Sequence, residues 1–182
     1  AADHIAKWNN AAWSPIVPGQ GNTVWTIIEY GGEIYIGGDF SLSYTDNGIA
    51  KWNGSSWVSV GGGSDGAIRA LSVYNGDLYA GGIFTKMGGD TVYSIARWDG
   101  TDWYPLGTTG IDTMGYSVMA LAEYNGELYA GGIFFKAGGM PANNIAKWNG
   151  TNWSSAGTGI GTGGSNFVMA LQVFGTNLYA GG

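Results

Sequence analysis

Along the chain, apolar residues alternate with polar ones or run in short blocks bounded by Gly, Asn and Asp, and they hold no 3.6-residue period. That patterning predicts short strands joined by turns. The blocks recur. IYIGG at residues 34–38 returns as LYAGG at 78–82, 128–132 and 178–182, steps of 44, 50 and 50 residues. Upstream of each lies an apolar run at 24–30, 68–74, 118–124 and 168–174, and IAKW or IARW begins at Ile5, Ile49, Ile95 and Ile145. Each of those closing tryptophans has another five residues on: Trp8 and Trp13, Trp52 and Trp57, Trp98 and Trp103, Trp148 and Trp153.

A repeat of this length has to be read before any other feature. Each unit is expected to hold four strands, a to d. Asn75-Gly76 and Asn125-Gly126 join a to b, because such a dipeptide accepts the positive φ angles of a two-residue hairpin. Asn53-Gly54, Asp99-Gly100 and Asn149-Gly150 open the turn from c to d. Four antiparallel strands per unit is the arithmetic of a β-propeller blade, so the expected fold is all-β, one propeller domain spanning 1–182. Whole blades are expected at 24–60, 68–106 and 118–156. Residues 1–17 supply only strands c and d, and 168–182 only a and b, so the two ends should complete a fourth blade. They could do so within one chain as a four-bladed ring, between two chains as an eight-bladed homodimer exchanging terminal strands, or as part of a longer propeller.

Composition changes the picture in three ways. A formal charge of −6 with no basic stripe argues against nucleic acid as a partner. No run of about 20 apolar residues is present, so no helical membrane insertion is expected. The absence of cysteine removes disulfides, thiolate chemistry and Cys-ligated zinc. Ala1-Ala2 is consistent with the remnant of a small-residue cleavage site, which points to an extracellular or cell-surface location.

The order Leu-Tyr-Ala-Gly-Gly, loop, Ile-Ala-Lys-Trp, Asn-Gly turn, Trp resembles the kelch-like β-propeller repeat, in which a diglycine closes the second strand. It is closest to the wording found in secreted bacterial repeat proteins and fungal cortical polarity proteins. The resemblance covers essentially the whole chain and implies a fold more firmly than a function, since such propellers include enzymes, adhesins and interaction platforms. The chain departs from kelch blades in the close spacing of its tryptophan pairs. It also lacks the histidines and the Cys-Tyr crosslink of kelch-like copper oxidases, having only His4.

The b–c loops (39–48, 83–94, 133–144) and the d–a loops (17–23, 61–67, 107–116, 157–166) vary between units and must share one end of the strands. Binding residues concentrate on such loops, and Tyr44, Tyr93 and Tyr116 are the aromatic candidates there. On strand a, one position varies while its neighbours repeat: Trp25, Arg69, Met119 and Met169, expected to face a central channel. The repeated tryptophans are read as packing wedges, because a ring of sheets needs equivalent aromatics and a ligand site does not. The diglycines are read as close-approach or bulge positions. Glu33, Asp77 and Glu127 repeat beside the hairpins and are read as solvated edge charges. Asp46, Asp65, Asp90 and Asp112 sit by the loops without the full spacing of a calcium loop, so no metal and no cofactor is expected.

The expected function is therefore a non-catalytic binding or scaffold domain that recognises carbohydrate or protein through the long-loop face. The alternatives are a propeller-type hydrolase or lyase with acidic residues at the channel mouth, and a self-assembling repeat module without ligand.

Overall fold

The computed structural model describes residues 4–16, 20–43, 46–111, 117–161 and 166–182. Among them every regular element is a β-strand. The chain opens with β1 (Ala6–Trp8) and β2 (Trp13–Pro15), then β3 (Gln20–Tyr30), β4 (Glu33–Ser41), β5 (Asn47–Trp52) and β6 (Trp57–Ser59). The next unit holds β7 (Ala67–Tyr74), β8 (Asp77–Ile83), the short β9 (Lys86–Met87) and β10 (Asp90–Thr91), β11 (Ile95–Trp98) and β12 (Trp103–Pro105). The third repeats this as β13 (Ser117–Tyr124), β14 (Glu127–Ile133), β15 (Lys136–Ala137), β16 (Met140–Pro141), β17 (Ile145–Trp148) and β18 (Trp153–Ser155). The chain ends with β19 (Ala170–Phe174) and β20 (Asn177–Gly181).

Three four-stranded antiparallel meanders result: β3-β4-β5-β6, β7-β8-β11-β12 and β13-β14-β17-β18. The turn chemistry accounts for their regularity. Asn75 and Gly76 both have positive φ (51° and 85°), as do Asn125 and Gly126 (52° and 73°), which is the two-residue geometry that continues the strand twist. The c–d turns work differently from the tight dipeptide expected. Asn53, Asp99 and Asn149 act through their side chains, each Oδ1 accepting the N–H groups two and three residues ahead at 2.8–3.0 Å. The five-residue spacing of the tryptophans then places them directly opposite each other across the turn, as in Trp98 and Trp103.

Neighbouring sheets stack on their first strands, β7 against β3 and β4, β13 against β7, and β19 against β13. Each hydrophobic core lies between two sheets. Tyr35, Ile49 and Val60 of the first sheet pack with Ile68, Leu78, Met87, Trp98 and Trp103 of the second. The next joint repeats the arrangement with Tyr79, Ile95 and Leu106 against Val118, Leu128, Trp148 and Trp153. The wedge reading of these tryptophans holds for the second and third sheets, where all four are buried and paired at 5.2 and 5.4 Å between ring centroids. The second indole of each pair also donates across the joint: Trp103 Nε1 to the Val60 carbonyl at 3.0 Å and Trp153 Nε1 to the Leu106 carbonyl at 3.2 Å.

The diglycines have two separate reasons. A Cβ at Gly81 or Gly131 would strike Val118 or Val168 on the next sheet, whereas one at Gly82 or Gly132 would strike the carbonyl of Ala67 or Ser117 on the same sheet. The first glycine therefore sets sheet-to-sheet distance and the second makes room for a bulge in strand a.

Three expectations need correction. Among the described residues the fourth four-stranded sheet is not formed within the chain: β1–β2 and β19–β20 are separate two-stranded sheets with no pairing between them. The b–c loops of the second and third units are not plain loops but carry the hairpins β9–β10 and β15–β16, tied to the preceding d–a segment by bridges Ser64–Met87 and Ile111–Ala137. Glu33, Asp77 and Glu127 are not merely solvated, since each pairs across strands with Lys51, Arg97 or Lys147 at 2.7–3.0 Å.

The packing yields three expected outcomes. In chemical denaturation, Trp103→Ala should cost about 3–5 kcal/mol, and Trp103→Phe about 1–3 kcal/mol by leaving the Val60 carbonyl unpaired. Gly81→Ala should cost about 1–3 kcal/mol and be relieved by adding Val118→Ala, while Gly82→Ala should gain nothing from any side-chain trimming because its obstacle is backbone. Asp65 accepts from Thr85 N, Thr85 Oγ1 and Lys86 N at 2.6–2.8 Å and so pins the β9–β10 hairpin. Burial opposes its ionisation, but those hydrogen bonds outweigh burial and hold the carboxyl below its ordinary range. A depressed folded-state pKa gives stability that is present above the unfolded value and disappears as pH falls through the folded one. Asp65→Ala should thus cost about 1 kcal/mol near neutrality, given the exposure of the group, and match the parent chain once acid has protonated Asp65.

Candidate functional site

The varying position on strand a owes its freedom to the backbone. Pairing of β3 with β4 shifts register between Val24 and Thr26, that of β7 with β8 between Ile68 and Ala70, and that of β13 with β14 between Val118 and Ala120. Trp25, Arg69 and Met119 are the extra residues of three equivalent β-bulges, and Met169 holds the matching place just before β19. A bulge re-aims one side chain out of the alternation that the core imposes on its neighbours, so this residue can change while Val24, Ile68, Val118 and Val168 cannot. All four lie near the start of strand a, at the end of the sheets where the long connections gather.

The structure brings Trp25 and Arg69 together. The guanidinium carbon of Arg69 sits 4.1 Å from the centroid of the Trp25 indole, while Trp25 stays 50% exposed. Nε of Arg69 is shielded from water and has no hydrogen-bond partner, and the guanidinium makes a cation–π contact with Trp25 worth about 0.5–2 kcal/mol. Met119 is half-buried and Met169 exposed, extending the row with unbranched apolar side chains. A ring face beside a cation, continued by two flexible thioethers, can stack on a flat or ring-shaped ligand and neutralise an anionic group on it.

Of the three loop tyrosines, Tyr44 and Tyr116 lie outside the described residues. Tyr93 is half-buried, and its carbonyl accepts from Ile111 N at 3.2 Å, which fastens the d–a segment of its own sheet. Asp112 also lies outside the described residues. Among the described residues no three His, Asp or Glu side chains converge in a way that could hold a metal ion.

A second polar cluster escaped the reading of the sequence. At the outer edge between the second and third sheets, a cleft of about 340 Å³ is lined by Tyr79, Arg97, Tyr104, Leu106, Trp148 and Gly150. Arg97 reaches Asp77 at 3.0 Å and lies 5.0 Å from the Tyr104 ring. Burial pushes the Tyr79 hydroxyl up to about 12, so it stays protonated. The charge of Asp99 raises the Tyr104 hydroxyl, while backbone N–H groups of Asp102 and Thr101 hold the Asp99 carboxyl low. The available signal was a break in the repeat, since Tyr104 stands where the other units carry Ser14, Val58 and Ser154.

No family model matches the chain, and no curated protein matches it. Among solved structures, it is similar to the extracellular domain of a putative hybrid two-component system from B. thetaiotaomicron, with a TM-score of 0.55 and 14% sequence identity over 87% of this chain. The chain spans 20% of the length of that neighbour. At such identity the likeness concerns the fold, an array of antiparallel sheets without helices among the described residues.

Proposed function

We propose that the chain is a non-catalytic binding domain of the kelch-like β-propeller type, displayed outside the cell, that takes an acidic carbohydrate on the Trp25–Arg69 platform. The observation that carries this reading is the half-exposed indole stacked against a guanidinium on adjacent bulges. Trp25 departs from the eight tryptophans of the repeated pairs, so it owes its identity to something other than the shared packing. An indole face suits a pyranose ring, and a guanidinium supplies the bidentate partner of a carboxylate. The bulges project both side chains without disturbing the Ile and Val residues that seal the joints beneath them. The extracellular placement rests on the solved neighbour, which is itself an extracellular domain. Five of the described carboxylates are engaged structurally, Glu33, Asp77 and Glu127 in cross-strand ion pairs and Asp65 and Asp99 in turn hydrogen bonds.

Calorimetric titration with uronic-acid and neutral oligosaccharides tests this. Trp25→Ala should weaken binding of the acidic series about tenfold or more, equivalent to about 1.4 kcal/mol. Arg69→Met should abolish the preference for acidic over neutral sugars, and both variants should melt within a few degrees of the parent. Unchanged affinity in Trp25→Ala would dismiss the platform, and binding confined to a protein ligand would replace carbohydrate with the other class of partner.

A further inference from the structure

Departures from the repeat gather at one place on the second sheet. Arg97 stands where the other units carry Lys7, Lys51 and Lys147, and Tyr104 where they carry Ser14, Val58 and Ser154. Asp77 stands in the place of Glu33, Glu127 and Asn177, Asp99 in that of Asn9, Asn53 and Asn149, and Asp102 in that of Ala12, Ser56 and Asn152. The meander requires none of the five, because the first and third sheets form it without them. The second sheet also has a neighbouring sheet on each side, β4 packing against its first strand from one direction and β13 from the other.

Strand register brings these residues together. Tyr79 of β8 lies opposite Arg97 of β11, which in turn lies opposite Tyr104 of β12. Residues directly opposite project from the same face of a sheet, so one guanidinium stands in a row between two phenol rings. The corresponding rows are Tyr35, Lys51 and Val58 in the first sheet and Tyr129, Lys147 and Ser154 in the third, with one ring each.

The row lines the cleft of about 340 Å³ that it shares with Leu106 and Trp148, a volume within the roughly 300–1,000 Å³ of small-molecule sites. Its polar groups are held by contacts of their own. Nη1 of Arg97 donates to Asp77 at 3.0 Å, and the guanidinium lies 5.0 Å from the Tyr104 ring. Tyr104 donates to the Asp99 carboxylate, which the N–H groups of Thr101 and Asp102 fix in turn. The Trp148 indole donates to the Tyr79 hydroxyl, which stays protonated and so can itself donate. The Arg97 side chain and Tyr104 are both 38% exposed, so these fixed groups are within reach of a ligand, and their order beforehand lowers the cost of binding one.

We propose that this outer cleft binds a neutral saccharide, one sugar ring lying on Tyr104 with its neighbouring hydroxyls on Arg97, Asp77 and Tyr79. A hydroxyl both accepts and donates, and the cleft supplies guanidinium and phenol donors beside a carboxylate acceptor. The Tyr104 ring offers an apolar face to the C–H face of a pyranose. A lysine in place of Arg97 presents one compact ammonium, as Lys51 and Lys147 do to their acids at 2.7 Å, whereas the planar fork of Arg97 meets Asp77 through Nη1 and has its other nitrogens to offer. Charge narrows the ligand class. The carboxylates of Asp77, Asp99 and Asp102 act on the two tyrosines together with one guanidinium, so an acidic ligand meets an excess of negative charge, and a basic one meets Arg97 in the middle of the row. The site shares no residue with the Trp25–Arg69 platform and does not rest on it.

The repeat itself supplies variants that keep the fold, since the third sheet already carries Lys147 and Ser154 at these positions. Arg97→Lys and Tyr104→Ser are each made in a Trp25→Ala chain, which takes the platform's ring out of the measurement. Calorimetric titration then uses lactose, maltose, cellobiose and the acidic counterpart of the last, cellobiouronic acid. The Trp25→Ala chain should bind at least one of the neutral disaccharides, and bind the acid about tenfold more weakly than the best of them. Tyr104→Ser should weaken that neutral binding about tenfold or more, and Arg97→Lys about fivefold, with melting temperatures within a few degrees of the Trp25→Ala chain. Failure of all three neutral disaccharides to bind would overturn the site, as would an affinity that Tyr104→Ser leaves unchanged. Tighter binding of cellobiouronic acid would overturn the neutral class. Neutral binding that is present in the parent chain and already lost with Trp25→Ala would put the sugar on the bulge row and leave the outer cleft without a ligand.

Discussion

A single indole N–H, reaching from the last strand of one sheet to a carbonyl at the end of the sheet before it, recurs at Trp57, Trp103 and Trp153. With the close approach at the first glycine of each diglycine, it fixes how the sheets sit beside each other. At Trp103 and Trp153 the donor is buried in an apolar joint, where an unpaired carbonyl costs about 1–3 kcal/mol, so the bond selects one register of sheet against sheet out of the many that hydrophobic contact alone would tolerate. The partner tryptophan supplies area rather than a bond. Nε1 of Trp98 is buried with no acceptor, and its ring closes the gap over Gly61.

Because each joint involves only neighbours, the molecule behaves as a one-dimensional stack in which every sheet borrows half its core from the next. The burial of equivalent residues shows this directly. Tyr35 and Tyr79 are sealed by a following sheet, Tyr129 is half sealed, and Tyr179 is open to solvent. Identical sequence words therefore have different energetic meaning depending on where in the stack they fall.

The bulge on strand a separates the demands of packing from those of recognition. Residues on either side of it, such as Ile68 and Ala70, are buried in the joint, while Arg69 is half-buried and packs its guanidinium on Trp25. The same separation is visible in the carboxylates. Glu33, Asp77 and Glu127 on strands b are engaged by the strand c cations, and Asp65 and Asp99 by backbone N–H groups, whereas the bulge row varies in side-chain chemistry from sheet to sheet.

The sequence by itself determined the strands, their order within each unit and the turns between them, because those depend on contacts between residues close in the chain: Asn-Gly dipeptides, Asx side chains and the five-residue step between tryptophans. It also marked Trp25, Arg69, Met119 and Met169 as different, through the break they make in an otherwise strict repeat. What only the tertiary structure decided is how the units meet. That Trp25 and Arg69 touch, that Arg97 and Tyr104 gather at an outer cleft, and that the terminal half-sheets stay apart all depend on the distance and twist between sheets. Those quantities are set by glycines and indoles acting across 40 or more residues of chain, as in the bond from Trp103 to Val60, and no local pattern encodes them.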